Sequence, residues 1–281
     1  MILNLDTSFT PLGNQNIINF EQFTFSGGEP HLKITTDLEN VEEVTITHRI
    51  RSFNDVGILL LAVNALRNIG VQKLHAFIPY FPAARQDRIM ITGEPLSVKV
   101  YADIINSQHF NSVTVFDPHS EVTPALLNNC KVMYNYTFVE RVTQQLTEDL
   151  VLISPDGGAL KKIYKVASYL QKYEVVECSK VRDVKTGKLS SFKVYHEDLQ
   201  GKDCLIIDDI CDGGGTFLGL AQELKKKNAG NLYIAVSHGI FSKGTELLNQ
   251  YFSKIFTTDS FKSINGTNCI QIKLEELLKN E

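Results

Sequence analysis

Leu205-Ile206-Ile207-Asp208-Asp209-Ile210-Cys211-Asp212-Gly213-Gly214-Gly215-Thr216 is the stretch from which the fold can be read. It starts as an apolar run, the pattern of a strand buried on both faces of a parallel sheet. It passes through two adjacent acids into a short loop of one acid, three glycines and a threonine. Phe217, Leu218, Leu220, Ala221 and Leu224 follow at helical spacing, ending in Lys225 to Lys227. The order is therefore strand, tight loop, helix start. Glycines let backbone amides approach a ligand without a Cβ in the way. A helix N-terminus adds unpaired N–H groups and partial positive charge, which suit a phosphate. The two carboxylates at the strand's end suit sugar hydroxyls, or a metal shared with a phosphate. An ordinary strand-to-helix turn with an acidic edge would need none of this company.

Around that stretch the chain alternates strand and helix patterns. Val44 to Ile50, Leu74 to Tyr80, Val113 to Phe116, Leu150 to Ile153, Tyr173 to Val176, Leu232 to Val236, Lys254 to Thr257 and Ile270 to Ile272 read as strands. Asp55 to Ile69, Leu96 to Ile105, Phe138 to Leu146, Ala159 to Leu170, the run after Thr216, Thr245 to Tyr251 and a short run from Leu274 read as helices. Residues 1 to 40 read as hairpins around the turn Phe25-Ser26-Gly27-Gly28-Glu29-Pro30. Such alternation predicts an α/β protein with mainly parallel sheets flanked by helices. At 281 residues the series is too long for one small sheet. Tyr134-Asn135-Tyr136 interrupts the pattern and places a domain break near 136, giving domains 1–136 and 137–281, with the last helix able to return to the first.

Composition narrows the function. A net charge of −4, spread along the chain, gives no basic field for nucleic acid. The longest apolar runs, such as Val56 to Val63, are too short to span a bilayer, and no secretory leader is evident at Met1 to Asp6. Five scattered cysteines without a CxxC predict reduced thiols and a cytoplasmic protein. Cys211, with no histidine near it in sequence, reads as a space-filler.

Other loops after strands also carry chemistry. Arg85 and Arg88, with Gln86 and Asp87 between them, can grip polyphosphate by paired hydrogen bonds, or form a solvated loop with a local ion pair. His119, between Asp117 and Ser120 at a strand end, suits a metal–polyphosphate site as neutral imidazole, or is a satisfied core histidine. Asp156 precedes Gly157 and Gly158, whose amides suit a diphosphate nest. Lys180 and Arg182 alternate on an extended segment and point the same way, able to stabilise charge on a transferring group.

The 205–216 stretch resembles the ribose-phosphate loop of type I phosphoribosyltransferases. Ile78-Pro79-Tyr80-Phe81 with Ala84-Arg85-Gln86-Asp87-Arg88, Phe25 to Glu29, Asp117-Pro118-His119-Ser120, Ser154 to Gly158, Ser179-Lys180-Val181-Arg182 and Val236 to Ser242 resemble, in the same order, motifs of the ribose-phosphate pyrophosphokinases. The resemblance implies two tandem phosphoribosyltransferase-like domains, the first contributing ATP contacts and the second binding ribose phosphate. It implies transfer of the diphosphoryl group of ATP to the anomeric hydroxyl of ribose 5-phosphate, with Mg2+ as cofactor and a homo-oligomer, dimer or hexamer. ATP would be held by Phe25, Glu29, Arg85, Gln86, Asp87, Arg88 and His119. The ribose phosphate would be held by Asp208, Asp209, Asp212, Gly213, Gly214, Gly215 and Thr216. Lys180, Arg182 and His119 would be catalytic, with His119 and Asp156 near the metal.

The sequence also departs from that family. Its phosphate loop usually reads Asp-Thr-Gly-Gly-Thr, whereas Gly213 here lacks the hydroxyl and its bulk. The change opens a second possibility, an acceptor with a larger 5-substituent such as ADP-ribose. Gly27 replaces a usual acid or amide, and Ile89 a usual basic residue. Two rival readings remain: a phosphoribosyltransferase, or a non-catalytic regulatory relative.

Overall fold

The computed structural model describes residues 1–182, 189–264 and 269–279, with the backbone alone described at 181, 182 and 189–191. The chain forms two compact units, Met1–Tyr134 with Lys273–Glu281, and Asn135–Ile272.

In the first unit, strands β1 (Ile2–Asn4), β4 (Glu43–Thr47), β5 (Lys73–Phe77), β6 (Ser112–Phe116) and β7 (Cys130–Met133) form a parallel sheet in that order. Strands β2 (Phe20–Thr24) and β3 (Pro30–Ile34) form a separate antiparallel hairpin. The sequence placed residues 1–40 in hairpins, yet β1 instead pairs in parallel with β4 in the main sheet. Helix α1 (Phe53–Ile69) begins where Ser52 and Asp55 cap each other's backbone N–H groups. It stops at Gly70, whose φ of 111° admits the left-handed turn. Its buried face, Val56, Leu59, Val63 and Leu66, joins Leu3, Ile46, Leu74 and Val113 in one core. Helices α2 (Ser97–Asn106) and α3 (Val122–Leu126) complete the crossovers.

The second unit contains α4 (Tyr136–Thr143), β8 (Leu150–Ser154), α5 (Leu160–Leu170), β9 (Val175–Arg182), β10 (Leu189–Val194), β11 (Asp203–Cys211), α6 (Gly215–Lys226), β12 (Leu232–Gly239), β13 (Lys254–Thr258) and β14 (Cys269–Ile272). Its sheet runs β10-β9-β8-β11-β12-β13-β14, parallel except for the β9–β10 pair. From β8 the chain moves outward to β9 and β10. It then returns to lay β11 on β8's other side. The strand order reverses between β8 and β11, and crevices at such points, beyond the carboxyl ends, are where open α/β sheets bind ligands. β11 is buried along its length except at half-buried Asp208. α6 approaches β10 so closely that a Cβ on Gly219 would overlap the Phe192 ring. Thr245 to Tyr251, expected as a helix, yields a single 3-10 turn at Leu248–Gln250. The short helix α7 (Leu274–Leu278) belongs to the first unit.

Candidate active site

The sequence places three groups on the second unit's sheet, and the fold gathers them at the β8/β11 reversal. β8 leads into Asp156. The Asp156 Oδ1 accepts the Ala159 N–H (3.0 Å), while its Oδ2 is paired with the Lys180 ammonium from β9. Burial alone would raise this carboxyl. The hydrogen bond and charge of Lys180, with the Ala159 and Gly158 amides, outweigh it and hold Asp156 below the ordinary carboxylate range. The Gly158 and Ala159 amides thus face the chain's own carboxylate. The Ser154 hydroxyl donates to the Asp156 carbonyl (3.0 Å) and fixes the turn.

At the end of β11, Asp208 accepts the Asp209 N–H at 2.9 Å. Burial pushes the Asp208 carboxyl well above its usual range, reinforced by the negative charge of Asp209 and of Asp156 and relieved in part by Lys180. Lys180, Asp156 and Asp208 thus share one electrostatic environment. Arg182 lies on the backbone of β9, but its side chain falls outside the described residues.

The loop beyond the acids closes onto α6. Gly214 is the N-cap, with φ 77° and no side-chain cap, and the first turn carries no acid. The early N–H groups of α6 are thus left without intrahelical partners, as an anion site requires. Asp212, Gly213, Gly215 and Thr216 form the rim. The next segment braces it. Ile240 and Phe241 donate backbone N–H groups to the Cys211 carbonyl (2.9 and 3.0 Å), and Ser242 donates to the Asp212 carbonyl (3.1 Å). Burial pushes the Cys211 thiol up to about 12, which suits a space-filler rather than a nucleophile.

In the first unit, β5 leads to Arg85–Arg88 and the adjacent β6 leads to Asp117–Ser120. Arg85, Gln86 and Arg88 are exposed, whereas Asp87 is buried. Burial alone would raise Asp87. Hydrogen bonds from Ser120 and Arg88, with the charges of Arg88 and His119, bring it below the ordinary range instead. Asp87 therefore ties one strand-end loop to the other, with Arg88 and His119 both acting on its carboxylate. Sequence reasoning took Asp87 for a ligand contact and missed this tie, whose one signal is a small hydroxyl residue next to His119. Phe25 and Glu29 lie on the turn between β2 and β3. Phe25 is half exposed and packs with Phe23 and His31 (centroids 4.9 and 5.5 Å). Among the described residues, no hydrogen bond, ion pair or ring contact joins Phe25 or Glu29 to the Arg85 loop.

Two family profiles match the chain: the N-terminal domain of ribose phosphate pyrophosphokinase over residues 10–108, and the phosphoribosyl transferase domain over 136–271. A ribose-phosphate pyrophosphokinase from Pyrococcus abyssi is 30% identical over 237 residues, covering 82% of this chain and 79% of the relative. The chain belongs to the ribose-phosphate pyrophosphokinase family. Another member of this family, from Saccharolobus solfataricus, is 27% identical over 279 residues, 98% of this chain and 92% of its own. The crystal structure of phosphoribosylpyrophosphate synthetase from Mycobacterium smegmatis superposes with a TM-score of 0.84, covering 100% of this chain and 96% of that one at 20% identity. The expected fold, two phosphoribosyltransferase-like domains with mainly parallel sheets, is borne out.

Proposed function

We propose that this pyrophosphokinase transfers the β,γ-diphosphoryl group of ATP to the anomeric hydroxyl of ribose 5-phosphate, giving phosphoribosyl pyrophosphate and AMP. One observation carries most weight: the acid pair and uncapped helix start sit together where the strand order reverses. The anomeric oxygen bonds to the β-phosphorus and loses its proton. The bond from that phosphorus to the α,β-bridging oxygen breaks, and AMP leaves. The protein forms no covalent bond itself, so positioning and charge stabilisation carry the catalysis.

Asp208 and Asp209 accept hydrogen bonds from the ribose hydroxyls, and Asp212 to Thr216 hold the 5-phosphate over the amides of α6. Lys180, with Arg182 on the same strand, neutralises charge on the transferring group. Arg85 and Gln86 take ATP phosphate oxygens, with Arg88 and Asp87 shaping their loop. Phe25 stacks on adenine and Glu29 accepts from its amino group.

A hard carboxylate oxygen fits a magnesium ion that arrives with phosphate. Among the described residues no three acidic, histidine or cysteine side chains converge as a closed cage. Magnesium commonly keeps its waters and takes one or two carboxylates with substrate phosphates. His119 in the first unit and Asp156 in the second are each proposed as a metal ligand. Bound there, the ion would withdraw charge from the phosphates. The reading includes a cytoplasmic homo-oligomer, dimer or hexamer. In support, all five cysteines are free, and among the described residues no helix is long and apolar enough to cross a membrane.

The test is AMP release from ATP and magnesium, with ribose 5-phosphate and ADP-ribose in parallel and products weighed by mass spectrometry. AMP with phosphoribosyl pyrophosphate is the expected outcome. Turnover with ADP-ribose alone would move the acceptor to a 5-substituted ribose. No AMP with either would overturn the enzyme reading.

A further inference from the structure

The phosphate loop offers an acceptor few side-chain donors. Gly213, Gly214 and Gly215 have none, and Thr216 supplies one hydroxyl. The partial charge of a helix start, about half an elementary unit, is small against a phosphoryl anion. Asp208, Asp209 and Asp212 add negative charge nearby. A cation beside this loop would complement the charge of a bound phosphoryl group.

The three glycines are not equivalent. Gly214 needs its φ of +77°, and a Cβ there would press on Leu248 at 3.1 Å. Gly213 has no positive φ, so its backbone accepts any residue. A Cβ at 213 would meet one side chain: the methylenes of Lys243, with Cδ and Cε at 3.6 Å and Cγ at 3.9 Å. Lys243 thus lies along the space a side chain at 213 would share. Its place is fixed by the brace on both sides. The Ser242 N–H holds the Asp212 carbonyl, the Gly244 N–H closes a turn on the Phe241 carbonyl (3.1 Å), and the Lys262 ammonium holds the Ile240 carbonyl (2.5 Å). Lys243 is exposed, and among the described residues no hydrogen bond or ion pair engages its ammonium.

We infer that Lys243 is a specificity-determining residue of the acceptor site, its stem packed on Gly213 and its ammonium binding the phosphoryl group carried on C5 of the ribose. The inference rests on the acceptor site proposed above. The phosphoryl group is a monoester in ribose 5-phosphate and part of a diphosphate in ADP-ribose; the amine chemistry is shared, and the two acceptors are separate arms of the test.

Lys243→Met keeps the methylenes over Gly213 and removes the charge. Calorimetric titration of the full chain with each acceptor, beside steady-state kinetics, reads the effect. Lys243→Met is expected to weaken the accepted ribose phosphate about ten- to a hundred-fold, the scale of one charged hydrogen bond. KM for ATP stays as in the wild type, Lys243→Arg retains most of the affinity, and the weakening shrinks as salt rises. Gly213→Thr in the Lys243→Met background adds a hydroxyl where a Cβ fits and recovers part of the loss. Unchanged acceptor affinity in Lys243→Met overturns the assignment, as does an equal rise in KM for ATP. Wild-type binding of an acceptor without AMP release would overturn the reaction alone and leave Lys243 testable by titration. Failure of the wild type to bind either acceptor would overturn both.

Discussion

The carboxyl ends of β5 and β11 hold charge in opposite ways. At β5 the acid is inside: Asp87 is buried, satisfied by Ser120 and Arg88, and the guanidinium groups face solvent. At β11 the acids form the floor, and the half-buried Asp208 resists ionisation beside Asp209 and Asp156. The first site is electrostatically complete and presents cations to whatever arrives. At the second, the negative charge of Asp209 and Asp156 bears on Asp208, offset in part by Lys180. A surface built to grip anions can be rigid when empty, whereas one built to accept hydroxyl protons stores repulsion until occupied.

Lys180→Ala should break the comparison most sharply. It removes the cation that offsets the acids around Asp208, and kcat should fall by about 10²–10³-fold, the scale of one lost preorganised electrostatic donor. KM for ATP should change little, as single-turnover and steady-state assays together would show. Next comes Arg85→Ala at the other strand end. KM for ATP should rise about ten- to a hundred-fold while KM for the ribose phosphate stays put. Equal effects on both substrates would dissolve the division of labour.

Asp208→Asn tests the stored repulsion. With a raised native pKa, the native state holds this proton more tightly than the unfolded chain does. Stability therefore falls as pH rises from about 4 toward the native pKa. The variant should lack that decline and melt higher than the wild type at pH 8 while losing activity; equal melting points at pH 4 and pH 8 would remove the claim. Asp87→Asn gives the smallest effect, about 1 kcal/mol from weakened bonds to Ser120 and Arg88. Here the sign is reversed. The depressed Asp87 stabilises the native state above about pH 4 and loses that contribution as pH falls, so wild type and variant should converge in acid thermal melts.

The pattern of the sequence reached far into the second unit. β11 and α6 were legible because an apolar run, acids, glycines and a helical stripe each follow a local rule. β10 was not, since an antiparallel edge strand paired with β9 has no such run of apolar residues. β1 was read as part of a hairpin because three residues cannot declare a parallel partner more than forty positions away. At the site, residue types were legible and their partners were not. Asp156 pairs with Lys180 on the next strand, beyond a whole helix, and Asp87 turns inward to Ser120. Both depend on which loops the sheet brings side by side, and no spacing along the chain records that. Lys243 passed unnoticed because its importance lies in packing on a glycine thirty residues earlier.

Gly219 sets a mechanical linkage. Phe192 on β10 lies where that glycine lacks a side chain, and Phe192 pairs across the ladder with Lys180 on β9. The helix that starts at the phosphate loop and the hairpin that carries the lysine are therefore spaced by one aromatic ring, like a shim between two plates. A single methyl group at Gly219 would thicken that shim from outside the site, altering the spacing behind the lysine without changing the identity of any ligand-facing residue.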